Sequence, residues 1–280
     1  MTGTTHGVLV GYDGSPGSER ALLWAVREAR WRGSVLTVCH AHAPGDVPAP
    51  HGEAEAPGDG QTAGELHLAA GMQFAKNIMG SGQVRPLLAA GPAARALCGY
   101  SADADMVVVG ARGWDGLPGS LAGSVSQQVC AHARGRVVVV RGHWHPAAAY
   151  AAGPVVVGTD GSAASRAAIA FAVEEAALRD VPLMAVCALA DSPGSLGGAR
   201  RMQEAFDQDL GRWEKEHPEL TILSRVTPGQ PRAALLEATS DAQLLVVGSR
   251  GRGGLTGTLL GSVSQAMLHH AACPVGIVHP

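Results

Sequence analysis

Two acidic residues and two glycine-rich loops carry the chemistry that this chain can do. Asp13 and Asp160 sit in the same setting, VLVGYDGS at Val8–Ser15 and VVVGTDGS at Val155–Ser162. An acid at the end of an apolar run can accept from a ribose hydroxyl or a base amine, or help hold a metal on phosphates. It can also make an Asx turn or cap the next helix, although Ser15 and Ser162 are better placed as caps. The loops lie in MVVVGARGWDGLPGSLAGS (Met106–Ser124) and LLVVGSRGRGGLTGTLLGS (Leu244–Ser262). Both read Gly-x2-Gly-x9-Gly-Ser: Gly110, Gly113, Gly123 and Ser124, then Gly248, Gly251, Gly261 and Ser262. A buried strand feeding such a loop and a helix start presents bare main-chain N–H groups to phosphate, with the helix dipole in support. Glycine allows close approach of the backbone and, where required, positive φ.

Other residues refine the picture. Arg112 and Arg250 lie between the first two glycines of each loop and can pair with phosphate, as can any exposed loop arginine with solvent. Arg252 occurs in the second loop, where the first has Trp114-Asp115. A carboxylate beside phosphate repels it, so the second site should hold an anion more tightly. Ser124, Ser126, Ser262 and Ser264 open the last helix of each half and can donate to phosphate or cap the helix. His143-x-His145 and His269-His270 lack a convergent third ligand in the sequence, so no metal site is expected. His40 aligns with Cys187 and Trp24 with Phe171, which argues against a shared catalytic histidine and for a core aromatic. There is no GxSxG, no P-loop lysine and no GxGxxG after strand one. No nucleophile–base pair occurs twice. These absences favour binding over turnover, so the chain is expected not to be an enzyme, with a slow ATPase or nucleotidyl-transfer enzyme as the alternative.

The elements that must position these groups are written twice. Asp13 and Asp160 are 147 residues apart, and at that spacing Ala21, Leu22, Ala25, Val26 and Ala29 match Ala168, Ile169, Ala172, Val173 and Ala176. Such positions form one helical face. Later the spacing is 138, aligning Gly110 with Gly248 and Ser124 with Ser262. The extra residues of the first half fall in the Pro-, Gly- and acid-rich segment Pro44–Thr62, read as a surface loop. Each half alternates strands and helices, beginning with a strand at Gly7–Asp13 or Pro154–Asp160 and a helix at Pro16–Arg32 or Ala163–Arg179. Apolar strands alternating with helices predict a parallel sheet covered on both faces, doubly wound, with ligands beyond the carboxyl ends of strands one and four. The domains are expected at 1–143 and 154–280, joined by a Pro/Ala/Gly-rich linker at 144–153.

With 280 residues, 46% of them hydrophobic, the chain can build two cores. A net charge of -3 and only 3 Phe and 3 Tyr give no basis for nucleic acid as a partner. Five cysteines without a CxxC pair read as buried thiols in a reducing cytoplasm. No signal peptide or membrane span is visible, so a soluble cytoplasmic protein is expected.

Together the strand-one Asp, the Gly-x2-Gly-x9-Gly-Ser signature, and the Ser-x-Ser helix followed by Cys273-Pro274-Val275 resemble the ATP-binding branch of the universal stress proteins. The resemblance covers nearly the whole chain, as two such domains in tandem. It implies an α/β fold of two Rossmann-like five-stranded parallel sheets in the order 3-2-1-4-5, paired as a pseudo-dimer, with a further homodimer open. It implies ATP with Mg2+ as cofactor. The adenosine contacts carried over are Gly11, Asp13 and Ala41, with Gly158, Asp160 and Ala188 in the second half. The phosphate contacts are Gly110, Arg112, Gly113, Gly123, Ser124, Val125 and Ser126, with Gly248, Arg250, Gly251, Gly261, Ser262, Val263 and Ser264. It implies a stress-response regulator that acts on an unidentified protein partner through nucleotide-dependent conformation. An interaction protein with vestigial sites is the third reading. The first half departs from the family pattern at Trp114-Asp115, and at Gly135-Arg136-Val137 where the second has Cys-Pro-Val.

Overall fold

The computed structural model describes residues 5–42, 63–113, 123–141, 153–189, 196–251 and 260–280. The loop at Pro44–Thr62, the Trp114-Asp115 and Arg252 positions, His143, His145 and all but the last residue of the linker at 144–153 lie outside them. Contacts divide the chain into two compact units, Met1–Gly142 and His143–Pro280.

In the first unit the order is β1 (Val8–Gly11), α1 (Pro16–Arg32), β2 (Leu36–His42), α2 (Ala63–Met79), β3 (Val84–Ala90), α3 (Ala93–Tyr100), β4 (Met106–Gly110), α4 (Ser124–His132) and β5 (Arg136–Val140). All its strand pairs are parallel, in the order β3-β2-β1-β4-β5. The second unit repeats this with β6 (Val155–Thr159), α5 (Ala163–Arg179), β7 (Leu183–Leu189), α6 (Leu196–Glu216), β8 (Ile222–Pro228), α7 (Pro231–Ala238), β9 (Leu244–Gly248), α8 (Ser262–His270) and β10 (Val275–Val278). Its parallel order is β8-β7-β6-β9-β10. Each unit is therefore a doubly wound sheet of the expected 3-2-1-4-5 type. The strand order reverses between β1 and β4, where Val10 pairs with Val108, and between β6 and β9, where Val157 pairs with Val246.

The central strands are apolar because both of their faces are covered. Val8, Leu9, Val10, Val107, Val108, Val155, Val156, Val157, Leu244, Leu245 and Val246 have no exposed surface. Each such side chain contributes about 1.5–3 kcal/mol relative to an exposed one. The outer strands depart from the expectation of sheets buried on both faces. Residues Arg85, Pro86, Leu88 and Ala90 of β3, and Leu223, Ser224, Arg225 and Pro228 of β8, are exposed. An outer strand has a neighbour on one side only, and there Pro86 and Pro228 are tolerated.

Helices α1 and α5 are built by one recipe. Ser15 and Ser162 cap them, each accepting from the amide three residues on, Ser18 and Ser165, at 3.2 Å. The apolar positions at i and i+4 turn inward, with Trp24 and Phe171 buried as core aromatics. A buried carboxylate on each, Glu28 and Glu175, pairs one turn later with Arg32 (2.5 Å) and Arg179. The helices end in the left-handed region, at Gly33 (φ 60°) and at Asp180 (φ 53°).

Candidate functional site

Strand β1 stops at Gly11 rather than running to Asp13, because the following residues bend into a turn. One carboxylate oxygen of Asp13, Oδ1, accepts from the Ser15 amide at 2.9 Å, and Gly14 between them takes φ +76°. Asp160 repeats this in the second unit, accepting from the Ser162 amide at 3.0 Å with Gly161 at φ +74°. The Asx turn is thus formed, and it engages only Oδ1. The other oxygen, Oδ2, points at the glycine loop. A β-carbon built on Gly113 would lie 2.8 Å from Asp13 Oδ2, and one on Gly251 would lie closer still to Asp160 Oδ2. Sequence positions about a hundred residues apart therefore meet at the carboxyl edge of each sheet.

The loop stems are pinned. The Gly123 amide donates to Ala111 O at 2.6 Å, and the Gly261 amide to Ser249 O at 2.8 Å. Helices α4 and α8 then begin with Gly123 and Gly261 as N-caps and no side-chain cap. Their first amides, on Ser124, Val125 and Ser126 and on Ser262, Val263 and Ser264, are the main-chain donors that an anion needs. The hydroxyls serve otherwise. Ser126 Oγ donates to Gly123 O (2.9 Å) and Ala111 O (3.2 Å), and Ser264 Oγ to Gly248 O (2.7 Å). Buried Ser126 and Ser264 thus brace the loop stem instead of facing solvent. Arg112, Arg250, Ser124 and Ser262 are exposed.

The loop glycines are not there for positive φ. None of Gly110, Gly113, Gly123, Gly248, Gly251 and Gly261 takes positive φ. Gly110 is needed because a β-carbon there would lie 2.5 Å from the main chain of Gly17, at the start of α1. Gly248 meets the main chain of Ala164 in the same way, at 2.7 Å. Gly11 and Gly158 make room for Leu97 and Leu235, whose methyls lie 2.9 Å from a built β-carbon. Only Gly261 has ordinary clearance, 3.6 Å to its nearest neighbours. Ala41 and Ala188, half-buried near the ends of β2 and β7, pair with Ala89 and Thr227.

Sequence reasoning missed how the first unit buttresses its acidic turn. Tyr12 is buried against Gly71 of α2. His40 Nδ1 lies 2.8 Å from Tyr12 O; since a carbonyl only accepts, that nitrogen carries the hydrogen. The His67 ring lies 5.5 Å from that of His40 and packs on Gly14. Burial, reinforced by Glu19 and Asp13, raises the Tyr12 phenol above its ordinary value. Burial also pushes the Cys39 thiol up to about 12 and the Cys130 thiol higher, so neither is a nucleophile near neutrality. None of the five cysteines forms a disulfide. Among the described residues no three His, Cys, Asp or Glu side chains converge on a metal position, and no helix is long and apolar enough to cross a membrane.

The universal stress protein family model matches the chain twice, over residues 5–141 and 152–279. The chain belongs to the universal stress protein family. A universal stress protein of Mycolicibacterium smegmatis is 37% identical over 293 residues, covering 100% of this chain and 99% of its own. A universal stress protein from Archaeoglobus fulgidus shares the fold with a TM-score of 0.67 at 17% identity, over 98% of both chains. A further universal stress protein, solved in complex with cAMP, matches 45% of this chain and 96% of its own at 32% identity and a TM-score of 0.37. Full-length coverage and the double match make this a tandem universal stress protein.

Proposed function

We propose that this universal stress protein binds an adenine nucleotide in each unit, ATP with Mg2+, and acts as a cytoplasmic regulator whose surface changes with occupancy. The observation that carries the reading is the meeting of Asp13 with Gly113 and of Asp160 with Gly251 at the switch point, beside uncapped helix amides. The donor set fits the ligand. Amides at the starts of α4 and α8, with Arg112 and Arg250, would take the phosphates. The carboxylates of Asp13 and Asp160 would take a ribose hydroxyl or the cation. Mg2+ supplies charge neutralisation on the phosphates, and one carboxylate with phosphate oxygens is an ordinary set for it. Charge-assisted bonds at about 1.5–3 kcal/mol each support micromolar affinity after the costs of binding. Among the described residues the site pairs no base with a nucleophile, and we read its chemistry as binding rather than turnover.

Mass spectrometry of gently purified protein tests this directly. Co-purified adenine nucleotide, with ATP titration lost in a folded Gly261→Val variant, is the expected result. Unchanged ATP titration of that folded variant would falsify the assignment.

A further inference from the structure

Helix α2 presents apolar residues outward as well as inward. Leu66, Phe74 and Ile78 are 54%, 39% and 40% exposed, three of the seven large apolar side chains that stay exposed among the described residues. Ala70, also exposed, completes a row at i, i+4, i+8 and i+12. Such a row runs along one side of a helix. It is not the core face, which Leu68, Met72 and Ala75 make where α2 packs on β2 and β3. Nor does the fold require it. In the second unit α6 takes the same place between the second and third strands, and its exposed Glu204, Asp207, Gln208, Arg212, Glu214 and Lys215 are all polar. Of the 3 Phe in the chain, Phe171 and Phe206 are buried and Phe74 is not. Single exposed apolar residues are ordinary, but a row of them on one helix marks a contact surface.

The polar residues beside the row point to what covers it. Gln73 Nε2 donates to Asn77 Oδ1 at 2.8 Å, so part of their hydrogen-bonding need is met within the helix when water leaves. Glu65 stands in the first turn of α2 and Lys76 in the last. About three turns separate them, so both lie on one flank of the row. We propose that a second copy of this chain covers the row, α2 packing antiparallel on α2 about a two-fold axis between Ala70 and Phe74. Leu66 of one copy then meets Ile78 of the other, and the small Ala70 leaves room for Phe74. Like flanks face each other in an antiparallel pair, so each Glu65 lies beside the other copy's Lys76. A parallel pair would set Glu65 against Glu65 and Lys76 against Lys76. The contact is isologous, the same patch on both copies. One helix face on another buries less than about 1,200 Å² in total, the low end of specific interfaces, so the dimer is weak and concentration-dependent.

Sedimentation velocity of the full chain from about 1 to 300 µM spans the range of so small an interface. A reversible monomer–dimer equilibrium is expected. Phe74→Glu should raise the dimer dissociation constant at least about tenfold, with circular dichroism unchanged. Glu65→Lys and Lys76→Glu should each weaken self-association roughly fivefold at low salt. An equimolar mixture of those two variants should recover it, because both cross-pairs are then attractive. High salt should shrink the charge effects and leave the Phe74→Glu effect in place. A chain that stays monomeric at every concentration overturns the inference. So does a dimer that Phe74→Glu and the charge variants leave intact, since its contact lies elsewhere, and so does a mixture that associates no better than either variant alone.

Discussion

The Oδ2 oxygen of Asp160 occupies the space that a side chain on Gly251 would need. A methyl group there must move either the carboxylate or the loop, while Oδ1 stays tied to the Ser162 amide. Gly251→Ala should therefore weaken ATP binding by the second unit by at least about tenfold, the value of one charged hydrogen bond. Circular dichroism should show the fold unchanged. Gly113→Ala should do the same in the first unit, more mildly, because its clearance of 2.8 Å is larger.

Gly110→Ala should behave differently, as a stability variant. Its β-carbon would press on the main chain of Gly17, which has no rotamer with which to yield. Overpacking of this kind costs about 1–3 kcal/mol. Urea titration should show the first unit's transition moved to lower denaturant, with any loss of binding secondary to it.

Asp180→Gly should stabilise the second unit. Asp180 ends α5 at φ 53°, where the first unit uses Gly33. Relieving a left-handed non-glycine residue should return roughly 0.5–1 kcal/mol. An unchanged or lower midpoint would mean that the Asp180 side chain repays its backbone cost.

The Cys39 thiol gives a pH prediction. Its folded value, raised to about 12 by burial, stands above the ordinary thiol value of about 8.5 in an unfolded chain. The unfolded chain then loses its proton first. The neutral thiol costs nothing below about pH 8.5, and stability declines as pH rises from there toward 12. The decline should be shallower in Cys39→Ala when the two proteins are compared by denaturant titration across pH 8 to 11. Equal slopes would show that other groups dominate.

Much of this was legible in the sequence. Helices α1 and α5 begin and end where their serine caps and periodicity put them, and α4 and α8 begin at Ser124 and Ser262 as read from the sequence. The parallel, doubly wound sheet follows from the alternation of elements, and the central place of β1 and β4 from their motif-bearing ends, whereas the full strand order was implied by the family resemblance. The site was readable as a set of residues but less so as a set of roles. Glycine in a phosphate-loop spacing suggests freedom of φ, whereas Gly110 and Gly248 are small because α1 and α5 press on them. Serine at a helix start suggests a phosphate donor, whereas Ser126 and Ser264 are spent on loop carbonyls. Such roles depend on which backbone passes within three ångströms, and that is a property of the packed structure.

Pro86 and Pro228 also bear on how the protein avoids aggregation. Each lies in an outer strand, β3 or β8, and lacks the amide hydrogen that an incoming foreign strand would have to capture. Along those two margins any visiting chain meets a gap in the donor row, and cross-β recruitment is blunted where the barrel-less architecture would otherwise invite it.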